Sequence, residues 1–311
     1  MKVLARPVED GDDPALAKVL NGWFASYRDH LDYAPPTLDF LKRWMWGQRS
    51  ASVLLEADGQ LAAMCLTGVR PARFRGKDLR VGHIGPLAVN PFLRRKGLGV
   101  RVTEAACERA AELGCDAVTL LTQEIYPAHK LYRRAKFRQI ERFQPHGAAI
   151  GEVQAPPWAK EVSAATFVAA RPERAGRPGA VVECRGSDLP QSAPPDVVVR
   201  TFLGPDAGVA TVTWPVRVRV HGSFISGRSC QLFDAWGEGT PLMGTIAAAL
   251  SAAHAEGCEG AYYMPWSGLA DVPGFSAEGG PWVLRMSYGL TPLGEAVVDA
   301  CEAWDAVDPS P

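Results

Sequence analysis

Three consecutive cations, Arg94, Arg95 and Lys96, run directly into Gly97-Leu98-Gly99-Val100. Before them lies an apolar run, His83-Ile84-Gly85-Pro86-Leu87-Ala88-Val89, closed by Asn90-Pro91. After them comes a helical pattern. A strand, a basic glycine-containing turn and a helix N-terminus in this order form an anion cradle. Glycine lets the backbone approach the ligand closely, the N–H groups of the first helical turn point at it, and the helix dipole favours its charge. The three cationic side chains add charge-assisted hydrogen bonds. The chemistry this spacing can perform is phosphate or pyrophosphate binding.

The elements that must hold this turn are legible as mixed α/β. Asp13-Pro14 signals a helix start, and Leu16, Val19, Leu20, Trp23, Phe24 and Tyr27 recur at helical spacing. Thr37 is placed to cap a second helix carrying Leu38, Leu41, Trp44 and Met45. The period then changes to that of a β-hairpin: Ser52 to Ala57, the turn Asp58-Gly59, and Gln60 to Val69. Beyond Gly99, apolar Val102, Ala105, Ala106, Ala110 and Leu113 mark one helix face, and Gly114 ends it. Ala117 to Leu121 reads as a strand, Pro127 to Lys136 as a helix and Phe137 to Phe143 as another strand. Residues 144–160 lack periodicity and are expected to be a linker. Arg171 to Pro195 reads as a second loop.

Past that loop the order of elements repeats. Val197 to Leu203, the turn Gly204 to Gly208, and Val209 to Val220 mirror the first hairpin. Ser229 to Trp236 takes the place of the cradle's strand, and a helix with Ile246, Leu250 and Ala253 follows it, stopped by Gly257. Ala261 to Met264 makes the next strand. The collinear order favours a duplicated fold, with domains at 1–150 and 151–311.

Composition narrows the class. The chain has 311 residues, 47% of them hydrophobic, enough for two cores. No apolar run reaches membrane-spanning length, and the acidic residues soon after Met1 do not suit a signal peptide, so a cytoplasmic protein without membrane contact is expected. The seven cysteines are scattered, with no Cys-x-x-Cys, which argues for reduced thiols and against a metal site. Residues 1–145 carry a net charge of +7 and the remainder −8. The cations of the first half are interleaved with acids, which suits a polyanionic cofactor better than nucleic acid.

On these residues the first half resembles the Gcn5-related N-acetyltransferases. Arg94-Arg95-Lys96-Gly97-Leu98-Gly99 fits that family's pyrophosphate loop, (Gln/Arg)-x-x-Gly-x-(Gly/Ala), and Leu87-Ala88-Val89-Asn90-Pro91 fits its fourth strand. Ala128-His129-Lys130-Leu131-Tyr132-Arg133-Arg134-Ala135-Lys136-Phe137 looks like the family's A-x-x-L-Y-x-x-x-G-F segment. The resemblance spans roughly residues 1–145. Two positions depart from it: Lys136 replaces the glycine before the phenylalanine, and Ile125 replaces an asparagine often found seven residues before the tyrosine. The second copy departs further. Glu238-Gly239-Thr240-Pro241-Leu242-Met243-Gly244 offers no cation, Glu238 would repel a pyrophosphate, and Pro241 lacks an N–H.

The resemblance implies an acyl-CoA N-acyltransferase fold and direct acetyl transfer from acetyl-CoA to an amine, without a metal. It assigns coenzyme A binding to Arg94, Arg95, Lys96, Gly97, Leu98, Gly99 and Val100. The pantetheine arm would pair with Leu87, Ala88 and Val89, where an amide N–H can polarise the thioester carbonyl; one such donor is worth about 2.7–4 kcal/mol. Tyr132 matches the residue that protonates the departing thiolate. An amine of pKa about 10.4 is neutral only to roughly one part in 2,500 at pH 7, a deficit of about 4.6 kcal/mol, so a base is needed. Glu124 at the end of the fifth strand is the leading carboxylate, and its bland alternative is a solvated strand-end charge. His83 and the C-terminal carboxylate at Pro311 are further candidates. Tyr33, Trp44, Trp46, Asp29 and Asp32 belong to the region where the family binds its acceptor. Two kinds of amine acceptor fit the resemblance, a small molecule and part of a protein, and a homodimer is compatible with such a chain. The competing readings are a non-catalytic acyl-CoA-binding sensor or interaction protein and, more remotely, a nucleic-acid binder.

Overall fold

The computed structural model describes residues 2–23, 51–74, 77–172, 198–214, 218–220, 223–225, 228–263, 269, 271–277 and 282–307. The first half contains β1 (Val3–Pro7), α1 (Asp13–Gly22), β2 (Val53–Ala57), β3 (Gln60–Phe74), β4 (Lys77–Val89), α2 (Leu98–Glu112), β5 (Ala117–Gln123), α3 (Ala128–Arg134) and β6 (Arg138–Phe143). Asp58 and Gly59 both take positive φ, 50° and 79°, so the Asp-Gly pair closes the β2–β3 hairpin in the way its twist requires. Helix α2 buries Val102, Ala106 and Ala110, one face at four-residue spacing, against β2, β3 and β4. Helix α1 covers the opposite face, with Leu16, Val19 and Leu20 packed on Leu54, Met64 and Leu66.

Strand β7 (His146–Ala149) closes the first half, and the remainder contains β8 (Lys160–Val162), α4 (Ala164–Ala170), β9 (Val198–Gly204), β10 (Ala207–Trp214), β11 (Val218–Val220), β12 (Ser223–Ile225) and β13 (Arg228–Trp236). It continues with α5 (Gly239–Ala255), β14 (Cys258–Tyr263), β15 (Ser276–Ala277), β16 (Val283–Gly289) and α6 (Pro292–Val307). The stretch expected to be a linker therefore contains a strand, β7, whose four residues are too few for periodicity to reveal.

Two seven-stranded mixed sheets result, ordered β1-β2-β3-β4-β5-β16-β6 and β8-β9-β10-β13-β14-β7-β15. Written this way, the sheets correspond place by place. Each has one parallel pair, β4–β5 or β13–β14, between antiparallel neighbours. The sixth place in each is filled from the other half of the chain: β16 lies antiparallel between β5 and β6, while β7 lies antiparallel to β14 and β15. The two sheets thus exchange one strand each.

Asp116 fastens the incoming strand. Its carbonyl accepts from the N–H groups of Leu290 and Thr291 at 2.7 and 3.1 Å, and its Oδ1 accepts from the Thr291 hydroxyl at 2.9 Å. Gly294 lies against the same carbonyl, where no β-carbon would fit. Helix α6 then packs on β16 and β6, and Arg138 pairs with its Glu295 and Asp299 at 2.9 and 2.8 Å. Among the described residues, no helix is long and apolar enough to cross a membrane.

Candidate active site

Strand β4 is irregular where chemistry was expected. Opposite Cys65 to Thr67 of β3 stand Leu87 to Ile84 of β4, one residue more, so a bulge falls at Gly85-Pro86. Parallel pairing of β4 with β5 runs from Val81 with Ala117 to Ile84 with Leu120 and stops there. Beyond that point the two strands part. The Asn90 N–H donates to the Ala62 carbonyl of β3 at 2.9 Å. Strand alternation then turns the Val89 and Leu87 amides away from β3, toward the open wedge.

The wedge ends above the cationic turn. The Asn90 side chain accepts from the Phe92 N–H at 3.1 Å and starts the short helical turn Pro91–Leu93. Arg95 and Gly97 follow with positive φ, 64° and 79°, which bend the backbone into α2. The first helical bond is from the Arg101 N–H to the Gly97 carbonyl, 3.2 Å. The amides of Leu98, Gly99 and Val100 precede it and have no helical acceptor. Arg94, Arg95 and Lys96 are exposed around them, with Arg94 donating to the Trp23 carbonyl at 3.4 Å. The residues assigned to coenzyme A are thereby brought together. Strand residues Leu87, Ala88 and Val89 lead into a turn whose donors face the same end of the wedge.

Helix α3 stands beside the turn. Leu131 packs where a side chain on Gly99 would stand. Tyr132 is buried, 8% exposed, in the cluster that includes Leu98, Val102 and Leu120, and its ring lies 6.0 Å from that of Phe137. Phe137 in turn contacts Tyr288 of the exchanged strand β16, ring to ring at 5.8 Å. The helix ends in a left-handed cap: Lys136, with φ 67°, donates to the Arg133 carbonyl, and Phe137 donates to the Tyr132 carbonyl, each at 3.0 Å. The lysine at the family's glycine position has therefore kept glycine's backbone conformation.

Glu124 extends β5, its N–H donating to the Trp282 carbonyl at 2.8 Å. Alternation places it with Leu120 and Thr122 on the α2 side of the sheet. Arg142 donates twice to its Oε2, at 2.9 and 3.3 Å, and Arg142 itself lies 4.3 Å above the Trp282 ring. Both partners of this ion pair are nearly half exposed, so its contribution to stability is at most about 1 kcal/mol. Ile125 is exposed, 62%, at the position where the family often has asparagine. His83 lies on the face opposite α2, opposite Gly68 and Thr119. The acceptor-region residues Asp29, Asp32, Tyr33, Trp44 and Trp46 and the terminal Pro311 lie outside the described residues.

The sequence pointed to neither Trp282 and Arg142, which frame Glu124, nor Tyr288, which braces the Tyr132 helix through Phe137. All depend on β16, and no motif marks that strand. Among the described residues, no cluster of His, Cys, Asp and Glu could hold a metal ion.

In the second sheet the corresponding strand β13 also bulges, at Phe233, and also outruns its parallel neighbour, whose pairing stops at Leu232 with Tyr263. Its approach to the helix differs. Only Gly237 and Glu238 separate β13 from α5, against the eight residues from Asn90 to Gly97. Asp234 on the bulged strand is buried and paired with Arg171 at 3.2 Å.

A bulged strand parting from its parallel neighbour, over a helix N-terminus with exposed cations, defines the acyl-CoA N-acyltransferase class. Residues 17–137, about two fifths of the chain, match the acetyltransferase (GNAT) family model, so the first half carries a GNAT domain and the chain is an acyltransferase. No curated protein matches the sequence. Among solved structures, a GCN5-related N-acetyltransferase from Anabaena variabilis superposes with a TM-score of 0.59 at 10% identity, covering 97% of this chain and 74% of that one. Saccharomyces cerevisiae N-myristoyltransferase with bound myristoyl-CoA gives a TM-score of 0.63 at 8% identity, covering 92% and 82%. At these identities the likeness is one of fold, and it extends over both sheets.

Proposed function

We propose that the chain transfers an acetyl group from acetyl-CoA directly to an amine, using one working site in its N-terminal half. The observation that carries this reading is the wedge opening between β4 and β5 immediately above the first turn of α2. That turn's amides and Arg94, Arg95 and Lys96 suit a diphosphate, and the edge of Leu87, Ala88 and Val89 suits the amide-bearing pantetheine arm. The bound myristoyl-CoA of the yeast relative supports a coenzyme A thioester as donor. Residues 1–150 and 151–311 form two related units in this proposal, each lending the other a strand. The second holds no coenzyme A, because Glu238 stands where anion-binding cations are needed and its connection is too short to form the turn. Five buried, unbridged cysteines are consistent with a reducing, cytoplasmic setting.

In the reaction the amine nitrogen attacks the thioester carbonyl carbon. The outward amides of Leu87 and Val89 stabilise the developing oxyanion. The carbon–sulfur bond breaks, sulfur keeps the electron pair, and Tyr132 supplies its proton. The proton lost by nitrogen leaves through Glu124, so the products are an amide and the free thiol. A second reading, a non-catalytic acyl-CoA sensor, draws on the Arg142 ion pair that already engages Glu124.

Thiol release from acetyl-CoA across a panel of amines separates the two, since a sensor binds without turnover. Tyr132→Phe is expected to lower turnover at least tenfold with acetyl-CoA affinity intact, and unchanged turnover removes Tyr132 as the acid. Glu124→Gln is expected to reduce the rate most near neutral pH. A rate equal to the wild type's at every pH leaves Glu124 as an anchor for Arg142 alone.

A further inference from the structure

The outer face of α3 carries more positive charge than the mechanism above uses. Lys130, Arg133 and Arg134 stand at i, i+3 and i+4 and form one exposed stripe, while Leu131, Tyr132 and Ala135 face the core. Lys136 at the helix cap is exposed as well, and from Ile125 to Ile140 the sequence holds no acidic residue. Among the described residues, Lys130, Arg134 and Lys136 pair with no carboxylate, and Arg133 reaches the Gln139 amide oxygen at 3.4 Å. An open groove of about 520 Å³ runs beside them, lined by Arg133, Lys136, Phe137, Arg138 and Gln139. Of these, Arg138 is already neutralised by Glu295 and Asp299.

This stripe borders the cationic turn. Leu131 lies on Gly99, so α3 sits against the first turn of α2, where Arg94, Arg95, Lys96 and Arg101 are exposed. In the same connection Phe92 leaves 92% of its surface bare, a large apolar side chain among cations. A diphosphate needs the turn alone. Cations spread over two helices, with an exposed aromatic at their margin, suit a protein partner of opposite charge. The adjoining wedge indicates what that partner carries, on the reading above that the wedge takes a pantetheine thioester. We propose that the chain also accepts its acetyl group from an acidic carrier protein whose serine bears a phosphopantetheine thioester. The single phosphate of that arm sits on the turn of Arg94 to Gly99. The carrier's acidic surface covers α3, and the groove receives one of its carboxylates.

The chemistry is the same for either donor. The amine nitrogen bonds to the carbonyl carbon, the carbon–sulfur bond breaks, and sulfur keeps the electron pair. The carrier retains its arm as the free thiol once sulfur has gained a proton. Docking is what differs. Beyond the phosphate, coenzyme A presents its adenosine, whereas a carrier presents a whole surface of opposite charge. Such attraction speeds encounter and is screened by salt, so the carrier reaction is the more salt-sensitive of the two.

The test measures acetyl transfer to an accepted amine from acetyl-CoA, from acetyl-dephospho-CoA and from the acetyl-loaded acyl carrier protein of a fatty-acid synthase. Wild-type protein is expected to use the carrier, and to lose at least tenfold in kcat/KM with it between about 50 and about 200 mM salt. Arg133→Glu combined with Arg134→Glu is expected to lower kcat/KM at least tenfold for the carrier. The same variant should stay within twofold of wild type for acetyl-CoA, which also reports that it is folded. Phe92→Ser should weaken the carrier reaction alone. Turnover of acetyl-CoA with the carrier untouched overturns the inference and leaves the acetyltransferase reading standing. An equal loss with carrier and acetyl-CoA, absent with the dephospho donor, also overturns it and assigns α3 to the 3′-phosphate of coenzyme A. Inhibition of the acetyl-CoA reaction by duplex RNA, with none by the unloaded carrier, overturns it in favour of nucleic acid. Absence of turnover with every donor and amine overturns the acetyltransferase reading, and this inference with it.

Discussion

Leu131 of α3 fills the space above Gly99 in the first turn of α2, so the helix that carries Tyr132 is seated on the helix whose N-terminus faces the wedge. Any side chain on Gly99 must push Leu131 away, and with it the next residue, Tyr132. Gly97 is constrained differently: nothing crowds it, but its φ of 79° disfavours a β-branched residue by roughly 1–2 kcal/mol. Gly99→Val and Gly97→Val are each expected to weaken acetyl-CoA binding at least tenfold by calorimetry, and the double variant to abolish it. Residual binding of wild-type strength would place a coenzyme A site in the second unit.

Lys136 holds a left-handed cap without being a glycine. Replacing it with glycine removes the β-carbon clash while keeping the bonds from residue 136 to Arg133 and from Phe137 to Tyr132. Lys136→Gly is expected to stabilise the protein by about 1 kcal/mol. Thermal unfolding should shift upward by roughly 2 °C. A lower midpoint would mean that the lysine side chain makes a compensating contact.

The strand exchange predicts that the first unit does not survive alone. Residues 1–150 lack β16, so β5 and β6 each lose their shared neighbour and expose unpaired edges in the middle of the sheet. That fragment is expected to aggregate or remain unfolded by circular dichroism. Co-expression with residues 151–311 should recover soluble material, and a soluble, cooperatively folding fragment 1–150 would contradict the exchange.

Buried thiols set an alkaline limit to stability. Burial pushes Cys107 up to about 12, and Cys115 and Cys258 up to about 11, from an ordinary value of 9.0. Cys65 and Cys230 are raised further in the same direction by the same cause. The unfolded chain therefore releases these protons first as pH rises. Stability from keeping the thiols neutral is complete below pH 9 and declines between about pH 9 and 12. Denaturant midpoints should fall across that window, and iodoacetamide at pH 8 should spare these cysteines until denaturant is added. Rapid alkylation of the native protein would show that they are accessible.

The cradle was legible in the sequence because its parts are contiguous. From His83 to Val100 the strand, the turn and the helix start follow one another, and local backbone chemistry fixes their order. The A-x-x-L-Y pattern around Tyr132 was visible for the same reason, and the order β9, β10, β13, α5, β14 disclosed a second copy of the same arrangement. The Asp58-Gly59 hairpin and the apolar face of α2 are likewise local matters of turn residues and helical period.

Tertiary structure alone decided which strand completes each sheet. Strand β16 pairs with β5 across about 160 residues of sequence, and a short strand of alternating apolar residues states no preference among exposed edges. Asp116 makes the choice specific by binding the turn into α6, a contact that no spacing announces. Through this exchange the second half supplies Trp282 and Tyr288. The residues proposed to bind the diphosphate are written consecutively, whereas the surroundings of Glu124 and Tyr132 are completed only when the sheets trade strands.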